Sequence, residues 1–301
     1  MFRIRIQNKK KCIWYCSAVV SFLLFLLLLG WTNHLANTQD AQQMAGRWSE
    51  KKDVAQISCF FSSKAEVTED TIQSFEYSLK NVLQEASITE TSENPSARLW
   101  VDAYSADGKI TLVNGKNTLD ANAIGIGGDF FMFHPLKLIT GAYFSGNDLM
   151  QDYCIIDQDA AWQLFGSNDV VGMTVYIGNV PHIVTGVVQR PDSRMDKAAG
   201  LNSTVVYVSY ETLSAYGTNN GINHYEIVMP NPVDEFAYGK VKDGIGIDEK
   251  NVEIVENSRR YSLPNRIKTI LAFGTRSMNG KAIIYPYWEN LARGYEDIIA
   301  L

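Results

Sequence analysis

An uninterrupted apolar run near the N-terminus constrains this chain more than any other feature. The residues from Ile13 to Trp31, IWYCSAVVSFLLFLLLLGW, carry no charge. As a helix they would cover about 28 Å, which is roughly the thickness of one hydrocarbon core. The chain therefore contains a segment that can cross a bilayer, and we expect its polar remainder to fold on one side of that membrane.

Basic residues before the run give the direction of insertion. Arg3, Arg5 and the lysines at 9–11 precede it with no acidic residue, and positive charge is retained on the cytoplasmic side. We therefore predict a cytoplasmic tail over 1–12, a transmembrane helix over 13–31 and an extracytoplasmic remainder at the cell membrane. A cleaved signal peptide is the alternative, although its apolar region is usually about 7 to 15 residues long and is followed by an A-x-A pattern, which is missing here.

The charge of the remainder restricts its partners. All 33 acidic residues follow Trp31, whereas five of the 27 basic residues precede it, so the outer part carries a formal charge of −11. Nucleic acids and anionic lipids are bound by basic stripes, and we find none. The sequence therefore argues against a nucleic-acid partner.

The outer chain alternates between strand and helix patterns. We predict a helical stalk over 32–52, a buried strand over 54–61 and an amphipathic helix capped by Thr68. Two strands, 97–104 and 109–113, would form a hairpin around Asp107-Gly108. A Gly-rich stretch from residue 122 then leads to further segments, listed here as predicted: strands 153–156, 174–177, 182–188, 205–208, 226–229 and 252–255, and helices 158–165 and 233–241.

The C-terminal segment has a helical apolar stripe. Trp288, Leu291 and Tyr295 recur at spacings of three and four residues. A similar stripe in the stalk includes Ala45 and Trp48, so we predict that the two helices pack antiparallel, with Trp48 and Trp288 in one hydrophobic layer.

Two cysteines in the outer part, Cys59 and Cys154, leave a choice. An oxidising exterior would permit them to form a disulfide. Both lie in apolar strand-like runs, AQISCFF and YCIID, where a buried free thiol is the usual occupant. The sequence alone does not supply the Cα separation that decides between the two.

No arrangement of residues indicates catalysis. The chain has no G-x-S-x-G motif, and we interpret its histidines at 34, 134, 182 and 224 as structural. Without C-x-x-C or Cys/His spacing, zinc is disfavoured. Gly125–Gly128 lacks the Lys-Ser/Thr pair of a phosphate loop, and Asp157 with Asp159 is better explained by helix capping than by acid–base chemistry. We therefore predict no enzyme activity, no cofactor and no metal.

The pattern from residue 128 to 188 resembles the extracytoplasmic core domain of MacB-like and FtsX-like ABC transporter permeases. The resemblance lies in GDFF at 128–131, GAYF at 141–144, CIIDQDAAWQLFG at 154–166, DVVG at 169–172 and HIVTGVV at 182–188. VVYVSYETL at 205–213 extends it. Its structural positions are Gly128, Phe130, Phe131, Gly141, Phe144, Phe165, Gly166, Gly172 and Gly186.

This resemblance implies an α+β fold with one N-terminal transmembrane helix and a helical stalk. The extracytoplasmic domain would cover 53–287 in two parts, a βαβ-rich half and a β-rich half at about 122–215, and 288–301 would be a return stalk helix. The family further implies an ATP-binding-cassette ATPase and a second permease copy as partners, and a role in substrate export or mechanotransmission. The further spans of the family are missing, so we interpret the chain as the N-terminal part of a permease or a split copy. A membrane-anchored peptide- or glycan-binding module is the alternative function.

Overall fold

The computed structural model describes residues 9–49, 53–89, 98–272 and 281–300. These residues form two compact units, Met1–Gln39 and Asp40–Leu301, which we describe separately. Most of the predicted basic tail, residues 1–8, lies outside the described residues.

The first unit contains one long helix, α1, from Lys9 to Asn37. Its segment Ile13–Asn37 is long and apolar enough to cross a membrane, judged by length and composition. Thr32 donates its hydroxyl to the carbonyl of Leu29 at 3.0 Å, which keeps this polar side chain satisfied within the helix. The helix thus runs six residues beyond the predicted end at Trp31.

The predicted single helix over 32–52 is wrong. Helix α1 ends at Asn37, a 3-10 turn covers Asp40–Gln42, and a short helix, α2, runs from Met44 to Trp48. The hydroxyl of Thr38 binds the carbonyl of Leu35 at 2.7 Å, a local bond that competes with helix continuation. Residues 50–52 lie outside the described part.

The second unit is built on one 11-stranded sheet. The strands are β1 (Val54–Phe61), β2 (Val101–Asn114), β3 (Asn117–Gly128), β4 (Lys137–Gly141), β5 (Tyr153–Asp157), β6 (Thr174–Ile177), β7 (Val180–Gln189), β8 (Val205–Ser209), β9 (Thr218–Asn219), β10 (His224–Pro230) and β11 (Val252–Glu256). Their order in the sheet is β11-β1-β10-β2-β3-β8-β5-β7-β4, while β6 pairs with β2 and β7, and β9 pairs with β2. Two pairs of adjacent strands, β3 with β8 and β5 with β7, are parallel.

Helices cover both faces of this sheet, and the mixed α+β class is confirmed. The predicted helix after Thr68 is present, buries a stripe at the expected spacing and begins with a capping box between Thr68 and Thr71. Helix 158–165 is also confirmed, with Asp157 as its cap, whereas the helix expected at 233–241 begins later. The helices are α3 (Glu69–Glu85), α4 (Phe130–Phe133), α5 (Gln158–Phe165), α6 (Arg194–Ala199), α7 (Tyr210–Tyr216), α8 (Phe236–Gly244), α9 (Leu263–Leu271) and α10 (Tyr287–Ala300).

The hairpin predicted at Asp107-Gly108 is wrong. Strand β2 continues through both residues, and the turn lies at Gly115 and Lys116 instead. A Cβ on Gly108 would lie 2.3 Å from the carbonyl oxygen of Thr218, so this glycine serves a close approach of neighbouring backbone. Asp-Gly therefore marks tight packing here, although it is usually a turn signal.

Two hydrophobic cores lie on opposite faces of the sheet. Along β10, Tyr225, Ile227 and Met229 face the first core, which includes α3 and α8. Val228 faces the second core, which includes Phe130 and Trp288. The predicted boundary between the two parts of the domain, at about residue 122, falls inside β3. Because β3 pairs with both β2 and β8, strands of the two predicted parts belong to one sheet.

The two outer cysteines are both buried and free. Cys59 lies on β1 and Cys154 on β5, with four strands between them in the sheet. Because neighbouring strands are about 4.8 Å apart, the separation far exceeds the reach of a disulfide.

Candidate functional site

The glycines of the family-like pattern lie where the backbone requires them. Gly128 has φ of +65° and Gly141 has φ of +85°, a region that favours glycine. A Cβ on Gly128 would lie 2.5 Å from the carbonyl oxygen of Asp102, and one on Gly141 would lie 2.1 Å from that of Thr185. These two positions therefore need glycine for both conformation and space.

The other three glycines have different reasons. Gly166 ends α5 with φ of +72°, and Gly172 has φ of +81°, both in open surroundings, so conformation alone explains them. Gly186 pairs with Gly141 across β4 and β7, where a Cβ would lie 3.1 Å from the Leu138 side chain. The pattern thus fixes turns and close contacts.

The aromatic residues of the pattern fill the second core. Phe130, Phe131 and Phe144 are all buried, and the Phe131 ring stacks on Tyr143 with centroids 4.6 Å apart. Phe165 differs, because it is only partly buried at the edge of the first core. Its neighbour Leu164 is buried, as are Ala160 and Ala161 of the same helix.

A cluster of ionisable side chains is buried in the same region as this second core. His134 ends α4, and His224 and Glu226 lie two apart on β10, so they share one face of the sheet. His134 Nε2 is 2.7 Å from Glu226 Oε2, and His224 Nε2 is 3.5 Å from Glu226 Oε1. All three side chains are at most 2% exposed. We call these three residues the His–Glu cluster.

Further polar groups hold the His–Glu cluster in position. His224 Nδ1 lies 3.3 Å from the hydroxyl of Ser105. Ser58 donates its hydroxyl to Glu226 Oε1 at 2.6 Å and accepts a bond from the Asn257 amide at 2.7 Å. The orientation of Glu226 is therefore fixed from the β1 side.

Burial controls the charge of the His–Glu cluster. Burial lowers the pKa of His134, and the neighbouring carboxylate offsets this only in part. Burial alone would raise the pKa of Glu226, but the two histidines more than reverse that effect, so its pKa lies below its ordinary value. Glu226 is therefore a buried carboxylate that needs a cationic partner.

Helix α10 is attached above this cluster. The Trp288 ring lies 4.1 Å from the His134 ring and 5.1 Å from the His224 ring, measured between centroids. Trp288 is 3% exposed and Trp48 packs at the edge of the same second core. That the two tryptophans share one hydrophobic layer stays a prediction.

The predicted long pairing of two stalk helices is replaced by other contacts. Helix α2, only five residues long, packs mainly on β1 and β10. Helix α10 packs mainly on α6 and α9, and its Leu291 and Tyr295 are half-buried. A helix as short as α2 cannot follow the whole length of α10.

Buried ion pairs fasten α10 to the segment after β11. Arg260 donates two bonds to Glu289, of 2.6 and 2.9 Å, and a third to Glu296 at 2.8 Å. Arg293 bonds Glu289 at 2.7 Å and Glu253 of β11 at 2.6 Å. Arg260 and Glu289 are 3% and 1% exposed. We call these five residues the α10 clamp.

Sequence reasoning missed both polar groups. His224-Tyr225-Glu226 is an H-x-E spacing on a strand, which places both side chains on one face and was a usable signal. His134 is 90 residues away from His224 in the chain, so its position in the cluster follows from the fold alone. In the α10 clamp, Glu289 and Arg293 are four residues apart on one helix, whereas Arg260 and Glu253 reach them only through tertiary packing.

A cleft of about 470 Å³ lies between the β9 region and β2. Its polar side chains include Asp107, Asn219 and Asn223, but the Asn223 amide bonds Asp107 at 2.8 Å and Asn219 accepts a bond from the Gly221 backbone at 2.9 Å. These three side chains therefore have bonds within the cleft wall.

The sequence model of the MacB-like periplasmic core domain matches residues 21–256. The chain belongs to the MacB-like periplasmic core domain family. The match begins within α1 and ends with β11, so it includes the His–Glu cluster. The family predicted from the pattern at 128–188 is confirmed.

Curated relatives are similar over a shorter region. The macrolide export ATP-binding/permease protein MacB of Chromobacterium violaceum is 32% identical over 99 residues, which are 32% of this chain and 15% of that protein. The protein of the same name from Pasteurella multocida is 30% identical over 98 residues, 32% of this chain and 14% of that protein. The matched regions are thus about one seventh of these relatives' lengths.

Two solved structures are also similar. The periplasmic region of MacB from Actinobacillus actinomycetemcomitans is 20% identical, with a TM-score of 0.44 over 71% of this chain and 92% of that one. The extracellular domain of the noncanonic ABC-type transporter YknZ is 18% identical, with a TM-score of 0.42 over 66% of this chain and 99% of that one.

Proposed function

We propose that this chain is the extracytoplasmic part of an ABC transporter permease subunit, anchored by α1 with its N-terminus in the cytoplasm. The observation that carries this proposal is the family match over residues 21–256, which continues from the apolar helix into the sheet. A cytoplasmic ATPase and a second permease copy would be its partners, and this chain would itself hydrolyse nothing.

The α10 clamp supports a mechanical role. In the proposed mechanism, 288–301 is the return segment through which movement from the membrane reaches the outer domain. Arg260, which follows β11, binds Glu289 of α10, and Arg293 of α10 binds Glu253 of β11, which pairs with β1. The pair of Arg260 and Glu289 is buried, so losing one partner is costly, and a displaced α10 would carry the sheet edge with it. Export or mechanotransmission would follow from that displacement.

Topology is the first test. Green fluorescent protein fused before Met1 should fluoresce, since it would remain in the cytoplasm, and alkaline phosphatase fused after Leu301 should be active outside. The reverse pattern would contradict the proposed orientation.

Partner binding is the second test. The full chain is purified from its native membranes in mild detergent and its companions are identified by mass spectrometry. We expect an ABC ATPase in fixed ratio to the chain. The matched control replaces residues 13–31 with an unrelated single transmembrane helix. The transporter assignment would be refuted if the ATPase is recovered equally with both proteins, or with neither of them. Specific retention of the chain on a peptide or glycan array would then favour the binding-module alternative.

A further inference from the structure

Three buried side chains of the His–Glu cluster bring potential metal ligands together. One ligand atom from each of His134, His224 and Glu226 lies within 4.8 Å of the other two. Two imidazoles and a carboxylate are a common protein ligand set for zinc. Such a set in a buried position is unusual for purely structural residues, because each polar atom there needs a partner.

The hydrogen bonds of the cluster leave ligand atoms unused. His134 Nδ1, His224 Nε2 and Glu226 Oε2 have no hydrogen-bond partner among the described residues, and His134 Nε2 approaches Glu226 at 2.7 Å without hydrogen-bond alignment. Since these side chains are nearly inaccessible to solvent, bulk water does not satisfy them. The cluster therefore offers ligand atoms without a hydrogen bond from all three residues.

The separations suit a small cation. Ligands at about 2.0 to 2.2 Å from a tetrahedral ion lie roughly 3.3 Å apart. The ligand atoms of the three residues lie within 4.8 Å of one another, and His134 Nε2 is 2.7 Å from Glu226 Oε2. Binding an ion through Oε2 would therefore require the Glu226 carboxylate to move slightly away from His134.

The surrounding bonds are those expected around metal ligands. Ser105 lies beside His224 Nδ1, and a hydrogen bond there leaves Nε2 as the coordinating atom. Ser58 holds Glu226 Oε1 and leaves Oε2 without a hydrogen-bond partner. Ligating side chains are usually oriented in this way by a second set of polar groups.

We propose that His134, His224 and Glu226 bind one divalent transition-metal ion, for which Zn²⁺ is the best match. The ion would neutralise the buried carboxylate and tie the end of α4 to β10 directly beneath Trp288. This differs from the sequence prediction of no metal, which relied on the missing Cys/His and H-E-x-x-H spacings and overlooked the H-x-E pair of His224 and Glu226. Because the Trp288 ring covers both imidazoles, metal exchange should be slow while α10 is in place.

The test uses the full chain purified in detergent. Metal content is measured by plasma mass spectrometry after growth in zinc-supplemented medium, and Co²⁺ substituted for Zn²⁺ gives a visible spectrum that reports imidazole ligation. We expect about one ion per chain and a Co²⁺ absorption band, as a protein site with three ligands predicts. Fewer than about 0.1 ions per chain, with no Co²⁺ band after loading during refolding, would overturn the proposal.

Variants locate the ion. Glu226→Gln and His224→Ala should each lower the metal content at least tenfold, as loss of a ligand does. The matched control is His182→Ala, because His182 is equally buried but lies against Thr212 outside the cluster. Circular dichroism verifies that each variant is folded. If a variant is not folded, the Co²⁺ spectrum of the wild-type chain tests the proposal, because it shows directly whether imidazoles bind the ion. Equal metal loss in the control would refute the assignment.

Discussion

Replacing Arg260 with methionine should loosen α10 from the outer domain. Arg260 is almost fully buried and binds Glu289 through two hydrogen bonds and Glu296 through a third. Burial alone would lower its pKa, but the two carboxylates reverse this and raise the pKa well above its ordinary value. The methionine side chain preserves much of the volume and removes the charge.

The size of the effect follows from what remains unpaired. Losing one partner of a buried ion pair costs about 3 to 5 kcal/mol. Glu289 keeps its bond to Arg293 at 2.7 Å, and Glu296 is 15% exposed and regains some water. We therefore expect the lower end, about 3 kcal/mol, which for a domain of this size lowers Tm by roughly 6 to 12 °C.

Thermal unfolding of the full chain in detergent, followed by tryptophan fluorescence, measures this effect. The double variant Arg260→Met with Glu289→Met should recover much of the loss, since the two most deeply buried charges of the clamp are then both removed. The exposed pair Lys242 and Glu249 supplies the control, and Glu249→Gln should leave Tm unchanged. If Arg260→Met also leaves Tm unchanged, the clamp does not hold α10 and the mechanical role loses its structural basis.

Three other experiments test the fold. Burial and the neighbouring Asp102 raise the pKa of Glu76 to about 8. The folded chain therefore keeps a proton that the unfolded chain releases near pH 4.5, so the free energy of unfolding should fall as the pH rises between these two values. Glu76→Gln should flatten that dependence in denaturation series from pH 5 to pH 8, and an unaltered slope would contradict the raised pKa. Leu164→Ala should lower the free energy of unfolding, measured by chemical denaturation, by about 2 to 5 kcal/mol, and Phe165→Ala, at the edge of the core, by about 1 to 2 kcal/mol. The opposite ranking would show that α5 is rotated about its axis. Gly128→Ala should destabilise the domain more than Gly115→Ala. Both positions have positive φ, so alanine costs about 1 kcal/mol of backbone strain at either, but only at Gly128 would the new Cβ collide with backbone. Equal losses in Tm would exclude the close approach of Gly128 to Asp102.

The tertiary structure decided where chemistry is concentrated. His134 reaches His224 and Glu226 only because α4 follows β3 and packs against β2, which neighbours β10 in the sheet. Arg260 meets Glu289 and Glu296 only because α10 folds back beside the segment after β11. Distant pairs of this kind leave no periodic trace in a sequence.

The sequence by itself determined the apolar helix, the stripe of α3, the cap and length of α5, and most strand positions. These features depend on local periodicity, capping and β-branched runs, which act over a few residues. It did not determine that β2 passes straight through Asp107-Gly108, that β3 joins both predicted halves, or that α1 and α2 are separate. Those outcomes depend on which backbone approaches Gly108, which strands pair across the sheet and which side chains bury α2, and such contacts between distant residues exist only after the chain has folded.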